Sequence, residues 1–344
     1  MKAVVLEKQG EIKFKDVPMV GQMGPSAIRI KIKNVGVCGS DVHYYTHGRI
    51  GHYVVKKPMV LGHEAAGVVV EVGSDVKGFK PGDRVCMEPG IPNGRSRAAK
   101  LGLYNLDPDV VFWATPPVDG CLIEEVAHPA EYVYRLPDNV TLAEGAMVEP
   151  LAIGLQAAKK ARIVPGDVAV VSGAGTIGIM CAISALSGGC SRVFITDAKK
   201  EKLAIAASYP GVTAIDITRE DALKTVLAAT DGWGAEVVIE ASGAPAVYPG
   251  FAQFACPGGK VVLVGIPVDP VPFDIALLQS KELEIASVFR YANIYPRAIN
   301  LIASGKLDVK RLISKVYPFE KSIEAFEHAA RLEPDIVKIQ IELP

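Results

Sequence analysis

The sequence predicts a two-domain α/β protein, in which a doubly wound parallel-sheet domain is inserted between two parts of a β-rich domain. Three observations carry this. At 344 residues the chain exceeds what one hydrophobic core usually supports. Residues 151–286 alternate apolar strands with helical segments joined by short loops, the pattern of a parallel sheet covered by helices. Residues 1–150 and 287–344 hold short alternating runs punctuated by Gly, Pro and Asp, which predict half-buried strands.

In chain order, residues 27–32 alternate as a strand, and residues 78–85 read as a turn leading into another. Residues 88–117, rich in Pro, Asn and Arg, predict a long irregular surface loop. Residues 151–161 are helix-like, and Pro165-Gly166-Asp167 marks a turn. Strands are expected at 168–171, 192–196, 236–240 and 260–265, and the tail adds an amphipathic helix near 322–331.

Composition removes several function classes. Hydrophobic residues make up 49% and charged residues 22%, which argues against wholesale disorder. A formal net charge of -1 gives no electrostatic reason to expect nucleic acid or an anionic membrane as partner. Residues 168–187 carry no charge, but their glycines and the break after Val171 read as a strand feeding a buried helix rather than a membrane span. The N-terminus meets a charge too early for a signal peptide, and the six cysteines form no CxxC pair. A cytoplasmic protein with reduced thiols follows as the expectation.

Gly173-Ala174-Gly175-Thr176-Ile177-Gly178 stands between a strand and a helix, the context a dinucleotide fingerprint requires. Gly173 allows a sharp turn, Gly175 lets the backbone approach a pyrophosphate, and Gly178 lets the helix pack close to the sheet. Asp197 ends the next strand nineteen residues after Gly178 (197 − 178), where an acid hydrogen-bonds the adenosine ribose. That acid repels a 2′-phosphate, so NAD is favoured over NADP. Lys199, Lys200 and Lys202 are the cations that could weaken this preference.

A second constellation is Cys38 with His63-Glu64. Thiolate, imidazole and carboxylate are zinc ligand types, and three protein ligands leave one position open. Glu149, in an apolar stretch, is either a further ligand or a residue holding water beside the metal. His63 and Glu64 do not form HExxH, which excludes a metalloprotease pattern. On these residues alone a metal site and a structural buried His-Glu pair stay open.

The stretch from Gly62-His63-Glu64-Ala65-Ala66-Gly67 to Gly73 resembles the zinc signature of medium-chain alcohol dehydrogenases. Cys38-Gly39-Ser40-Asp41 and Gly82-Asp83-Arg84-Val85 sit where that family has them, and the resemblance covers essentially the whole chain. It is strongest to the sorbitol and xylitol dehydrogenases, through Val37 to Tyr44, Tyr104-Asn105-Leu106, Trp113 to Pro117 and Val288 to Tyr291. The resemblance implies a GroES-like catalytic domain with an inserted Rossmann-type domain, and a zinc-dependent, NAD-linked oxidation of a sugar alcohol to a ketose.

Carried over position by position, it implies that Cys38, His63 and Glu64 bind one catalytic zinc and that Glu149 positions a water there. Ser40 and His43 match proton-relay positions, and Tyr44, Glu149, Arg290 and Tyr291 match substrate positions. Ile177, Asp197, Lys202, Val264, Gly265, Ile266, Val288, Phe289 and Arg290 match cofactor contacts. Many relatives hold a four-cysteine structural zinc, but residues 93–99 contain no cysteine, so none is expected. Arg95 and Arg97 are expected to tie that loop down, and the cysteines other than Cys38 to be buried. A homotetramer, or alternatively a dimer, follows from the resemblance. Dehydrogenases of threonine, a butanediol or a sugar acid, and a silent NAD-binding protein, are the competing readings.

Overall fold

The alternating run beginning at Ala27 continues to Val37 and forms the central strand of a seven-stranded sheet. It pairs antiparallel with Glu64–Val72, Glu125–Pro129 and Lys338–Glu342, and its pleat buries Ile28, Ile30 and Ile32 completely. Arg84–Met87 and Val133–Arg135 extend the sheet beyond Glu64–Val72, and Ile313–Pro318 lies outside Lys338–Glu342. A smaller sheet orders Glu11–Asp16, Lys2–Lys8 and Met59–Val60. The computed structural model describes all residues, 1–344, and they form two units. These strands belong to the unit Met1–Glu149 with Tyr295–Pro344.

The second unit, Pro150–Ile294, is built on a parallel sheet. Its order is Val212–Asp216, Arg192–Asp197, Val168–Ser172, Ala235–Glu240, Ala255–Leu263 and Glu284–Ser287, so the order reverses between Val168–Ser172 and Ala235–Glu240. That reversal opens a crevice at the carboxyl ends of the strands. Four of these strands were expected from the sequence. The outer two, Val212–Asp216 and Glu284–Ser287, are partly exposed edges without an apolar run and were missed. The uncharged stretch is a strand followed by the helix Thr176–Gly188, whose residues Gly178 to Ala185 are all buried. No helix is long and apolar enough to cross a membrane.

Two further expectations need correction. The helix Tyr295–Ala303 was not anticipated, although Tyr295, Ala298, Ile299 and Ile302 are buried at helical spacing. Residues 88–117 are not a loose surface loop. They contain the strand pair Gly90–Ile91 and Val111–Phe112, and bury Asn105, Asp107 and Trp113. Arg95 and Arg97 are exposed and do not hold this lobe. It is held by Asn93 donating to Asp109, by Gly94 N–H donating to Asp107, and by the buried Glu88, which accepts from the Tyr104 hydroxyl at 2.8 Å and the Tyr134 hydroxyl at 3.1 Å.

Burial, opposed by those two hydroxyls, pushes the Glu88 carboxyl up to about 7, with Glu149 adding to the rise. The folded value lies above the unfolded one, so the native state retains the proton between about pH 4.5 and 7. Stability must fall as pH rises through that window, by up to about 3 kcal/mol. Glu88→Gln is expected to abolish that part of the slope, measured by urea unfolding at the two ends of the window. An unchanged slope would contradict the assignment to Glu88.

Candidate functional site

Cys38 leaves the central strand and occupies the N-cap position of the helix Gly39–His47, in extended conformation and without capping through its side chain. His63 and Glu64 follow the left-handed Gly62 (φ 89°) at the start of Glu64–Val72. Gly36 pairs with Glu64 across these strands, and a Cβ there would lie 1.9 Å from a Glu64 carboxylate oxygen. Glycine at position 36 therefore makes room for the carboxylate. Ligand atoms of Cys38, His63 and Glu64 all lie within 4.8 Å of one another.

His63 is 6% exposed, and its Nδ1 lies 3.4 Å from Oδ2 of the fully buried Asp41. A carboxylate behind Nδ1 leaves Nε2 as the nitrogen available to a metal. Burial lowers the His63 pKa, but Asp41 and Cys38 outweigh it and hold the imidazole well above its usual value. A pocket that keeps a proton on a buried imidazole favours positive charge, and a metal ion supplies such charge. With a thiol, an imidazole and a carboxylate as donors, the residues fit zinc.

Lys338 does not stand out in the sequence as a site residue. It is 3% exposed, and its ammonium donates to both Glu64 oxygens, at 2.7 and 2.8 Å, and to the Val37 carbonyl at 3.2 Å. Burial lowers the Lys338 pKa, while Glu64 and then Cys38 more than restore it. The available signal was a lone cation within the apolar run Ile336-Val337-Lys338-Ile339. Glu149 is buried in the first turn of the helix Val148–Ala161, and its charge reaches Lys338 and Glu88.

The helix Gly39–His47 also carries Ser40, His43 and Tyr44. Ser40 and His43 are half-buried and one turn apart, so they share a face, whereas Tyr44 is buried. The His43 ring stacks on His47 at 4.3 Å, and burial, then His47, lowers its pKa. Cys86, Cys121, Cys181, Cys190 and Cys256 are buried, and burial pushes Cys181 and Cys190 up to about 12. One fast-reacting thiol per chain, Cys38, is therefore expected in zinc-stripped protein, and zinc should protect it. Counting thiols with a colorimetric disulfide reagent checks this; several fast thiols would contradict it.

In the second unit, Gly173 is left-handed (φ 96°), and a Cβ at Gly178 would lie 1.8 Å from the Gly173 carbonyl oxygen. Gly175 opens onto free space and gives the helix Thr176–Gly188 no side-chain cap, so its first turn suits an external anion. Asp197 accepts from Ala174 N–H at 2.7 Å through Oδ2 and from Lys199 N–H at 2.8 Å through Oδ1. The acid thus also fixes the glycine turn. Ile177 and Lys202 are half-buried beside these segments in sequence. Val264, Gly265 and Ile266 follow Ala255–Leu263, and Val288 and Phe289 follow Glu284–Ser287. Arg290 is left-handed (φ 56°), with its guanidinium 4.9 Å from the Phe289 ring centroid, and Tyr291 is 2% exposed. Strand-end backbone, a free Gly175 face and an acid at the second strand fit a nicotinamide dinucleotide.

An alcohol dehydrogenase GroES-like domain matches residues 24–138, and a zinc-binding dehydrogenase domain matches residues 176–304. The chain belongs to the zinc-containing medium-chain alcohol dehydrogenases. This dehydrogenase is 54% identical to a D-xylulose reductase of Morganella morganii, over 96% of the chain and 98% of the relative. It is 38% identical to the sorbitol dehydrogenase of Bacillus subtilis, over 99% and 97%. An Escherichia coli dehydrogenase of unknown specificity superposes with a TM-score of 0.94 at 35% identity, covering 100% of this chain and 99% of the other. A zinc-binding dehydrogenase from Sinorhizobium meliloti, bound to NADP, gives 0.90 at 27%, covering 99% and 98%.

Proposed function

We propose that this dehydrogenase interconverts a sugar alcohol of the xylitol or sorbitol type and its ketose, with NAD as hydride acceptor and one zinc per chain. The observation that carries the reading is the convergence of Cys38, His63 and Glu64 in a chain similar to D-xylulose reductase and sorbitol dehydrogenase. Zinc at that cluster would act as a Lewis acid, lowering the pKa of a coordinated hydroxyl, which for water falls to about 7. Cys38 and Glu64 bring negative charge that moderates this acidity, and Asp41 fixes the His63 ring.

Glu149 holds water beside the cluster, and Ser40 with His43 takes the hydroxyl proton toward solvent. The lowered His43 pKa keeps its imidazole neutral at pH 7 and able to accept that proton. Tyr44, Arg290 and Tyr291 satisfy the remaining hydroxyls of a polyol, which an apolar pocket would leave unpaired. Arg290 shares its backbone with Val288 and Phe289, which with Ile177, Lys202, Val264, Gly265 and Ile266 line the cofactor. Residues 1–150 with 287–344 supply the metal ligands and the cofactor contacts at 288–290, and 151–286 the rest of the dinucleotide site.

NAD over NADP rests on Asp197, against Lys199, Lys200 and Lys202 nearby in sequence; the NADP-bound relative makes this worth measuring. Asp197→Ala is expected to weaken NAD binding about 10- to 100-fold and to narrow the gap to NADP, because a charged hydrogen bond to the ribose is lost. KM values for both cofactors check it, and unchanged KM for NAD would contradict it. A homotetramer, or alternatively a dimer, is proposed with the family, and a cytoplasmic setting is supported by six cysteines without a disulfide. Initial rates with xylitol, sorbitol, threonine and 2,3-butanediol, each with NAD and NADP, test the substrate class. Activity with neither polyol would overturn it.

A further inference from the structure

We propose that Glu240, set in the floor of the crevice, positions the nicotinamide half of the cofactor site; this rests on the NAD reading above. Glu240 ends the strand Ala235–Glu240, where the sheet order reverses, and is completely buried. Its Oε1 accepts from Ser242 N–H at 2.8 Å, from Gly243 N–H at 3.1 Å and from the Ser242 hydroxyl. Its Oε2 accepts from the Tyr248 hydroxyl at 2.9 Å, and that hydroxyl also lies 3.1 Å from the Gly265 carbonyl. The Glu240 backbone carbonyl accepts from Val264 and Gly265 N–H groups.

Two loops at strand ends therefore converge on this residue, and a third packs against one of them. The turn after Ala235–Glu240 packs on the glycine turn, since a Cβ at Gly173 would come within 3.0 Å of Ser242. The loop after Ala255–Leu263 packs on the turn after Ala235–Glu240, since a Cβ at Gly265 would lie 2.3 Å from Gly243 N and 2.5 Å from Glu240 Oε2. Backbone N–H groups cannot turn round to become acceptors, so only an oxygen acceptor at this point satisfies both Ser242 and Gly243.

The direction of the effect follows from the two-fold construction of the sheet. A dinucleotide lies across the crevice with one nucleotide on each half. Asp197, on Arg192–Asp197, belongs to the adenosine half. The loops that Glu240 holds follow Ala235–Glu240 and Ala255–Leu263, on the other half, where the nicotinamide lies. Glu240 is thus a positioning residue for one half of the ligand.

The test is calorimetric titration of zinc-loaded protein with NADH and, separately, with ADP, which reports the adenosine half alone. Glu240→Ala is expected to weaken NADH at least about tenfold and to leave ADP within about twofold, since the Ser242 and Gly243 N–H groups and the Tyr248 hydroxyl lose the acceptor that ties them together. Glu240→Gln is expected to stay within about threefold, because its amide oxygen can replace Oε1 while its NH2 donates to the Tyr248 hydroxyl. NADH affinity unchanged in Glu240→Ala, or equal losses of NADH and ADP in a folded variant, would overturn the proposal. If circular dichroism shows that Glu240→Ala does not fold, Tyr248→Phe decides. It should weaken NADH about threefold with ADP unaffected, and unchanged NADH binding overturns the proposal. A wild-type protein that binds no NADH would instead overturn the cofactor reading itself.

Discussion

His63→Ala is expected to leave less than about a tenth of the zinc bound and to lower kcat/KM for a polyol by more than about 10³-fold, because the metal loses one of three ligands. Asp41→Asn grades the effect. It keeps His63 but removes the charge 3.4 Å behind Nδ1, and an outer-shell partner of that kind is worth about 10- to 100-fold in metal affinity. Metal analysis by plasma emission, alongside initial rates, separates the two variants. Full zinc occupancy in His63→Ala would remove the Cys38, His63 and Glu64 cluster as the metal centre.

The second large effect concerns Lys338. Lys338→Met leaves Glu64 as a buried carboxylate without its cation, and breaking such a pair costs about 3–5 kcal/mol. The loss should be full in metal-free protein and smaller in zinc-loaded protein, where the ion offsets the Glu64 charge. Urea unfolding with and without zinc measures the difference between the two losses. Equal losses would mean that Lys338 supports the sheet without any coupling to the metal. The ammonium thus keeps Glu64 in place before metal arrives, which preorganises the proposed ligand.

These two residues also show what the sequence could and could not reveal. Cys38, His63 and Glu64 stood out locally, but only the resemblance to the zinc signature chose a metal site over a structural buried pair; the turn 173–178 was legible because strand, glycines and helix are contiguous. Lys338 meets Glu64 across 274 residues, and only the pairing of Lys338–Glu342 with the central strand brings them together. Glu240 was visible as a strand end, but its carboxylate's donors on Ser242, Gly243 and Tyr248 gather only when the segment after that strand folds back over it. The edges Val212–Asp216 and Glu284–Ser287 carry partly exposed patterns that periodicity does not separate from loops. In residues 88–117 the Pro- and Asn-rich composition concealed an ordered lobe, because its anchor is the buried Glu88 rather than an apolar run.

If zinc on Cys38, His63 and Glu64 enables NAD-linked polyol oxidation, activity must follow the metal. Stripping the metal, titrating zinc back and following xylitol-dependent NADH formation tests it most directly. Activity should be absent without metal and be restored in proportion to zinc, saturating at about one ion per chain. Stripped protein that keeps its rate, or zinc-loaded protein that reduces NAD with no polyol, would contradict it.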